Sequence, residues 1–151
     1  MSWWSAIPDR REPHRPNRCC GRPKRDRCRR LPGELDVTAS VSIVGGWQGH
    51  VVIRTRYRAA CDPTAAMIGV NAAAVKPDDV LDGMGEIANI VTGNVKSLLA
   101  QPSWVALPHV VISPTGIGWP QAVPVMILPV LFGDHQVLIE VIESTATAQP
   151  S

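Results

Sequence analysis

Residues Asp78 to Ala100, DDVLDGMGEIANIVTGNVKSLLA, constrain the fold more than any other stretch, because their apolar residues recur with the period of one helix face. At about 100° per residue, Val80, Met84, Ile87, Val91, Val95 and Leu98 share one arc, which predicts a core-facing stripe. Asp82, Glu86, Asn89, Gly93 and Lys96 gather on the opposite face. Three glycines, Gly83, Gly85 and Gly93, lie on or near that polar face, and each costs roughly 0.8–1 kcal/mol against alanine inside a helix. A helix that carries them is expected to need bare surface where another backbone comes close. Asp78 and Asp79, after Pro77, are expected to cap its start, and Pro102 to end it.

Around this helix the other elements are grouped by type. Asp36–Tyr57, DVTASVSIVGGWQGHVVIRTRY, alternates apolar and polar residues on both sides of a Gly-Gly-Trp-Gln-Gly break, the pattern of a β-hairpin. Val37, Ala39, Val41 and Ile43 share one face of its first strand. Val51, Ile53, Thr55 and Tyr57 share one face of the second, whose other face carries His50, Arg54, Arg56 and Arg58 and reads as solvated. Ala59–Gly69 reads as a short alanine-rich helix, with Pro63 expected in its first turn, Gly69 as its stop and Cys61 as a small, inert residue. Trp104–Ile112 reads as a strand. A turn-rich bridge through Pro114, Gly116, Gly118 and Pro120 then leads to the strands Ala122–Phe132 and His135–Ile142, joined at Gly133-Asp134. The order strand, strand, helix, helix, strand, strand, strand predicts an α+β fold: a largely antiparallel β-sheet with two helices packed on one face. Trp47 and Trp104 are expected to pack in the core or its turns.

The chain of 151 residues has the length of one ordinary domain. Its net charge of +2 is unevenly spread: residues 1–33 carry ten Lys/Arg against three Asp/Glu, and residues 34–151 carry five against ten. Residues 1–33 also hold five prolines and no apolar period, so they read as a disordered leader ahead of one folded domain at 34–144 and a tail at 145–151. An incorrectly assigned start codon is an equally good account of the leader. As a basic arm it could contact nucleic acid or an anionic membrane, but arginine at this density without a folded module is more often a solvated tail. His14, Cys19, Cys20 and Cys28 lack the paired C-x2-4-C spacing of a zinc site. No apolar h-region follows the leader, and the longest apolar run, Ala122–Phe132, is short of the ~20 residues of a membrane helix. The expectation is a cytoplasmic protein with no membrane partner and no nucleic-acid partner.

No P-loop, dinucleotide fingerprint, nucleophile motif or His-rich metal pattern is present. Glu86 and Asn89 remain, three residues apart and neighbours on the helix surface. On spacing alone an ordinary solvated face is the better reading of them. The alternative is chemical: an amide offers a donor and an acceptor and can hold a water for attack, as a glutamine does in small GTPases, while a carboxylate can pair with a cation on a partner.

Gly85–Asn94, GEIANIVTGN, resembles the CheX branch of the CheC/CheX/FliY chemotaxis phosphatases, in which a glutamate and an asparagine three residues on sit in a long helix. The likeness extends through SIVGGWQGHVVI at Ser42–Ile53, AAMIG at Ala65–Gly69 and LPHVV at Leu107–Val111, in order over most of residues 35–143. It implies a CheC/CheX-like α+β fold and a phosphatase acting on the phospho-aspartate of a CheY-like response-regulator receiver, in chemotaxis or a related two-component pathway. Asn89 is then implied to align the water and Glu86 to pair with a receiver lysine, with Gly85 and Gly93 leaving room for the receiver's loops on the docking face; Asp82 and Lys96 are better read as solvating charges, with rimming that face as the alternative. No metal site or cofactor of its own is implied, because the Mg²⁺ belongs to the receiver, and a homodimer is implied. The alternative is a non-catalytic adaptor that binds a receiver. Two features depart from the family pattern: the leader offers no amphipathic helix before the first strand, and Ser113-Pro114 stands where a glycine is usual.

Overall fold

The computed structural model describes residues 36–145. The expectations for the leader, its cysteines and His14, and for the tail beyond Thr145, lie outside the described residues. Six strands form one antiparallel sheet: β1 (Asp36–Gly45), β2 (Gly49–Arg56), β3 (Ser103–Val105), β4 (His109–Ser113), β5 (Ala122–Phe132) and β6 (His135–Ser144). The strand order is β3-β1-β2-β6-β5, with β4 also pairing β1, so β3 and β4 follow one another along the same edge. Two helices, α1 (Tyr57–Ile68) and α2 (Pro77–Lys96), pack on one face, and a 3-10 turn at Ala72–Ala74 links them. The grouping expected from the sequence is the architecture observed.

The sheet and helices close over Val37, Ala39, Val41 and Ile53 from the strands, Ala60 and Cys61 from α1, and Val80, Met84 and Ala88 from α2. A second cluster joins Ile43, Val51 and Val141 to Trp47, Val91, Val95 and Leu99. The alternation predicted for β1 understates its burial, because Val37 to Val41 are all buried, Thr38 and Ser40 included. The chain leaves β4 at one edge and re-enters the sheet at β5 on the other. Trp119, on this connection, meets His50 with ring centroids 6.0 Å apart and lies 5.0 Å from the Arg54 guanidinium. Arg54 also pairs with Glu140 (2.5 Å). The arginine face read as solvated is thus partly covered here, and Arg58 belongs to α1 instead.

Several boundaries differ from expectation for local reasons. The strand pattern runs into Tyr57, yet α1 begins there, and Pro63 sits inside the helix rather than in its first turn. Gly69 adopts φ 72° and donates to the Ala65 carbonyl (2.9 Å), the left-handed stop that favours glycine. The long helix is capped at Lys76, whose N–H donates to Asp79 Oδ2 (2.8 Å), so Asp79 acts from the first turn rather than as the cap itself. The helix stops at Lys96 instead of Ala100. Beyond it Leu98 and Leu99 donate to carbonyls three residues back, and this tightened turn swings Leu98 out to 86 % exposure, off the apolar arc. The strand expected at Trp104–Ile112 is two strands, broken at Ala106-Leu107-Pro108, and Trp104 is 59 % exposed rather than packed.

β5 is an edge strand, paired only with β6. The helices stop short of it, so Met126, Leu128 and Phe132 stay largely exposed beside an apolar groove of about 400 Å³ between the helices and the β5–β6 hairpin. Ile87 and Val91 line this groove as well as the core, so the buried arc of α2 is centred on Met84, Ala88 and Thr92. Among the described residues, no helix is long and apolar enough to cross a membrane.

Candidate functional site

Gly83 and Gly85, expected on the polar face of α2, are both buried, one on each flank of it. At Gly83 a Cβ would lie 2.7 Å from Thr64 Oγ1, so this glycine lets α1 close on α2. At Gly85 the nearest atoms to a Cβ would be Pro108 Cγ (3.5 Å) and Val110 Cγ2 (3.6 Å), so here the β3–β4 bridge comes up against the helix. Between these two contacts the polar stripe stands as a ridge: Asp82 and Glu86 are exposed and Asn89 is half-buried.

On the Gly85 side the ridge borders an open groove of about 340 Å³. Asp82, Gly85, Glu86 and Asn89 line it from the helix together with Leu81, and Pro108 and Val110 form the opposite wall. The structure therefore brings four of the six predicted site residues together. Gly93 and Lys96 lie beyond the groove: Gly93 is exposed with nothing within 4 Å of a Cβ, and Lys96 is half-buried in the last turn. Neither Glu86 nor Asn89 commits its side chain to a hydrogen bond or ion pair among the described residues, so the carboxylate and the amide keep their full bonding capacity.

Among the described residues the groove's lining holds two carboxylates and an amide and no basic side chain, which suits a cationic partner group and an ordered water. Among the described residues that line the larger apolar groove, Thr55 alone is polar, and its hydroxyl donates to the Gln136 carbonyl. The groove-lining carboxylates and amide therefore gather at the smaller groove. Among the described residues no three His, Cys, Asp or Glu side chains gather as metal ligands. His50 bonds Ser42 Oγ through Nδ1 (2.9 Å), and burial lowers its pKa below the ordinary value. Cys61 is a free, buried thiol whose pKa is raised, chiefly by burial and further by Asp62. It stays protonated and is a poor nucleophile.

Pro108 and Val110, the far wall, belong to the LPHVV stretch, but their place against Gly85 is a tertiary contact with no local signal. Leu81, too, carries no polar chemistry that could mark it in the sequence.

Fold and site together define an α+β domain that presents an acid and an amide, one helical turn apart, from a rigid helix beside an open groove. A profile described as the chemotaxis phosphatase CheX matches residues 37–131, more than half of the chain, and the chain belongs to the CheX family. It is similar to the solved CheX of Vibrio vulnificus at 28 % identity and TM-score 0.58, over 72 % of this chain and 76 % of that one. It is similar to a chemotactic CheC-like protein from Shewanella oneidensis MR-1 at 26 % identity and TM-score 0.56, over 74 % of each chain. The fold also matches the CheX–CheY–BeF3–Mg²⁺ complex from Borrelia burgdorferi at 16 % identity and TM-score 0.55, over 72 % of this chain and 76 % of that one. No curated protein matches the sequence.

Proposed function

We propose that this chain dephosphorylates the phospho-aspartate of a CheY-like response-regulator receiver in a chemotaxis or related two-component pathway. The observation that carries the reading is the uncommitted pair Glu86 and Asn89, set side by side on the groove edge of α2. The Asn89 amide accepts from and donates to a water and holds it in line with the phosphorus. Attack by that water breaks the bond between phosphorus and the aspartate oxygen, releasing inorganic phosphate and restoring the receiver's carboxylate. Glu86 pairs with the receiver's lysine and sets the register of the two proteins, and Asp82, Gly85, Gly93 and Lys96 belong to the docking face. The Mg²⁺ is the receiver's, so this chain supplies no metal ligand or cofactor. The solved complex of a family member with CheY, BeF3 and Mg²⁺ supports a receiver as the partner.

The protein acts in the cytoplasm, where receivers are found, and as a homodimer. Support for the dimer comes from β5: a second copy is the natural cover for an edge strand this apolar. Pro124 and Pro129 pair with Ile142 and Leu138, four residues apart on β6, so both turn their missing N–H the same way, toward the free edge. Strand-to-strand addition along that edge is impeded, which favours packing through the exposed side chains.

The test is the lifetime of the receiver's phosphate with and without this protein. Faster loss supports the phosphatase. Binding with an unchanged lifetime would establish the non-catalytic adaptor instead.

A further inference from the structure

Two apolar side chains next to groove-lining residues are left largely uncovered by the fold: Leu107, which precedes Pro108, is 89 % exposed, and Ile90, which follows Asn89, is 56 % exposed. Leu107 is held firmly in that position. On one side of it the Ala106 N–H donates to the Ser42 carbonyl (2.9 Å), and on the other Pro108 lies against the Gly85 position. The strands before and after it, β3 and β4, both pair with β1. An apolar side chain on a backbone fixed at both flanks loses little freedom when a partner covers it.

Ile90 is one turn beyond Glu86. At 100° per residue it lies about 40° round the helix from Glu86 on the α1 side, whereas Asn89 lies about 60° round on the Pro108 side. The acid and the amide therefore run between Ile90 on the α1 flank and, on the other flank, the bridge whose Pro108 walls the groove and which carries Leu107 next to it. At protein interfaces the residues that carry the binding energy are surrounded by contacts that exclude water from them.

We propose that Leu107 and Ile90 are the apolar anchors on which the receiver seats, closing a dry collar around Glu86 and Asn89. This rests on the reading of the groove as a receiver-phosphatase site. A receiver fits because, among the described residues, the groove is lined by Asp82 and Glu86 without a basic residue, which complements a partner face that presents a lysine and a divalent cation. Anchors on two separate elements, outside the groove itself, suit a protein surface rather than a small molecule. Excluding water from the collar strengthens the pairing of Glu86 with the receiver's lysine. Leu107 and Ile90 act on binding, and Asn89 on the chemical step.

The experiment uses the full chain and each phosphorylated receiver from the same genome in turn. On the receiver that is turned over, Leu107→Ser and Ile90→Gln are each expected to raise KM about tenfold with kcat unchanged, the effect of one apolar side chain left uncovered. Leu107→Met restores most of the affinity, and the thermal unfolding of these surface variants matches wild type. If KM stays within about twofold in both variants while wild type remains active, the anchors are refuted and the phosphatase stands. If a receiver is bound but not turned over, the same variants are compared by Kd for that receiver loaded with beryllium fluoride and Mg²⁺, and an unchanged Kd refutes the anchors. If no receiver is bound or turned over by wild type, the proposed function fails and the anchors fail with it.

Discussion

Three glycines of α2 should respond to alanine in two opposite ways. Replacing a helical glycine by alanine gains about 0.8–1 kcal/mol from backbone entropy and helix propensity alone. At Gly93 nothing lies within 4 Å of the new Cβ, so Gly93→Ala keeps that gain and raises Tm by about 3 °C for a domain of this size. At Gly85 the nearest atoms, 3.5 Å and 3.6 Å away, are at ordinary contact, so Gly85→Ala is also stabilised. At Gly83 the new methyl would meet Thr64 Oγ1 at 2.7 Å and Cγ2 at 3.0 Å. Thr64 is fully buried and its hydroxyl donates to the Ala60 carbonyl (2.8 Å), so it has no free rotamer into which to retreat. Overpacking of this kind costs about 1–3 kcal/mol, which outweighs the propensity gain and leaves Gly83→Ala less stable by up to about 2 kcal/mol. Thermal and urea unfolding followed by far-UV circular dichroism would rank the three. Adding Thr64→Ala to Gly83→Ala should return part of the loss, a favourable coupling between the two sites. Equal stability of Gly83→Ala and Gly93→Ala would refute the account of how α1 and α2 meet.

Other expectations can be checked with the same variants and instruments. Burial holds the His50 pKa below its ordinary 6.5, so the unfolded chain takes up that proton first; stability from this group is full above about pH 6.5 and is lost as the pH falls below it. Urea unfolding at pH 7 and pH 5.5 should show this loss, and His50→Gln should lessen it. Among the described residues the buried Thr92 hydroxyl has no hydrogen-bond partner, so Thr92→Val, which keeps the shape, should raise unfolding stability by about 1 kcal/mol and leave turnover of the receiver's phosphate unchanged. If β5 is covered by a second copy, Leu128→Glu should shift the protein from dimer to monomer in sedimentation analysis; an unchanged dimer would place the interface elsewhere.

The sequence displayed what depends on period and order, and hid what depends on which element arrives from elsewhere. α2 was legible because its apolar residues repeat along one face, and the α+β class because strands and helices are grouped. A helical wheel gives the direction of Gly83 and Gly85, but not that Thr64 and Pro108 fill those directions; both glycines therefore looked like parts of an open polar face. Leu98 kept the apolar period, yet the tightened turn after Lys96 removed it from the core. The break in the Trp104–Ile112 strand was marked by Pro108, whose missing N–H ends a ladder, but its consequence, a second wall for the groove, required the fold. Spacing made Glu86 and Asn89 neighbours on the helix, and only the resemblance of GEIANIVTGN gave them a role. Their shared groove and their lack of partners came only with the structure.

The most direct test of the central claim is single-turnover loss of phosphate from the cognate receiver with wild type, Asn89→Ala and Glu86→Ala at saturating concentrations of each. If Asn89 positions the water, Asn89→Ala should slow the chemical step by about 10²-fold or more while still binding the receiver, and Glu86→Ala should mainly weaken binding. An Asn89→Ala protein that strips the phosphate as fast as wild type would contradict the mechanism.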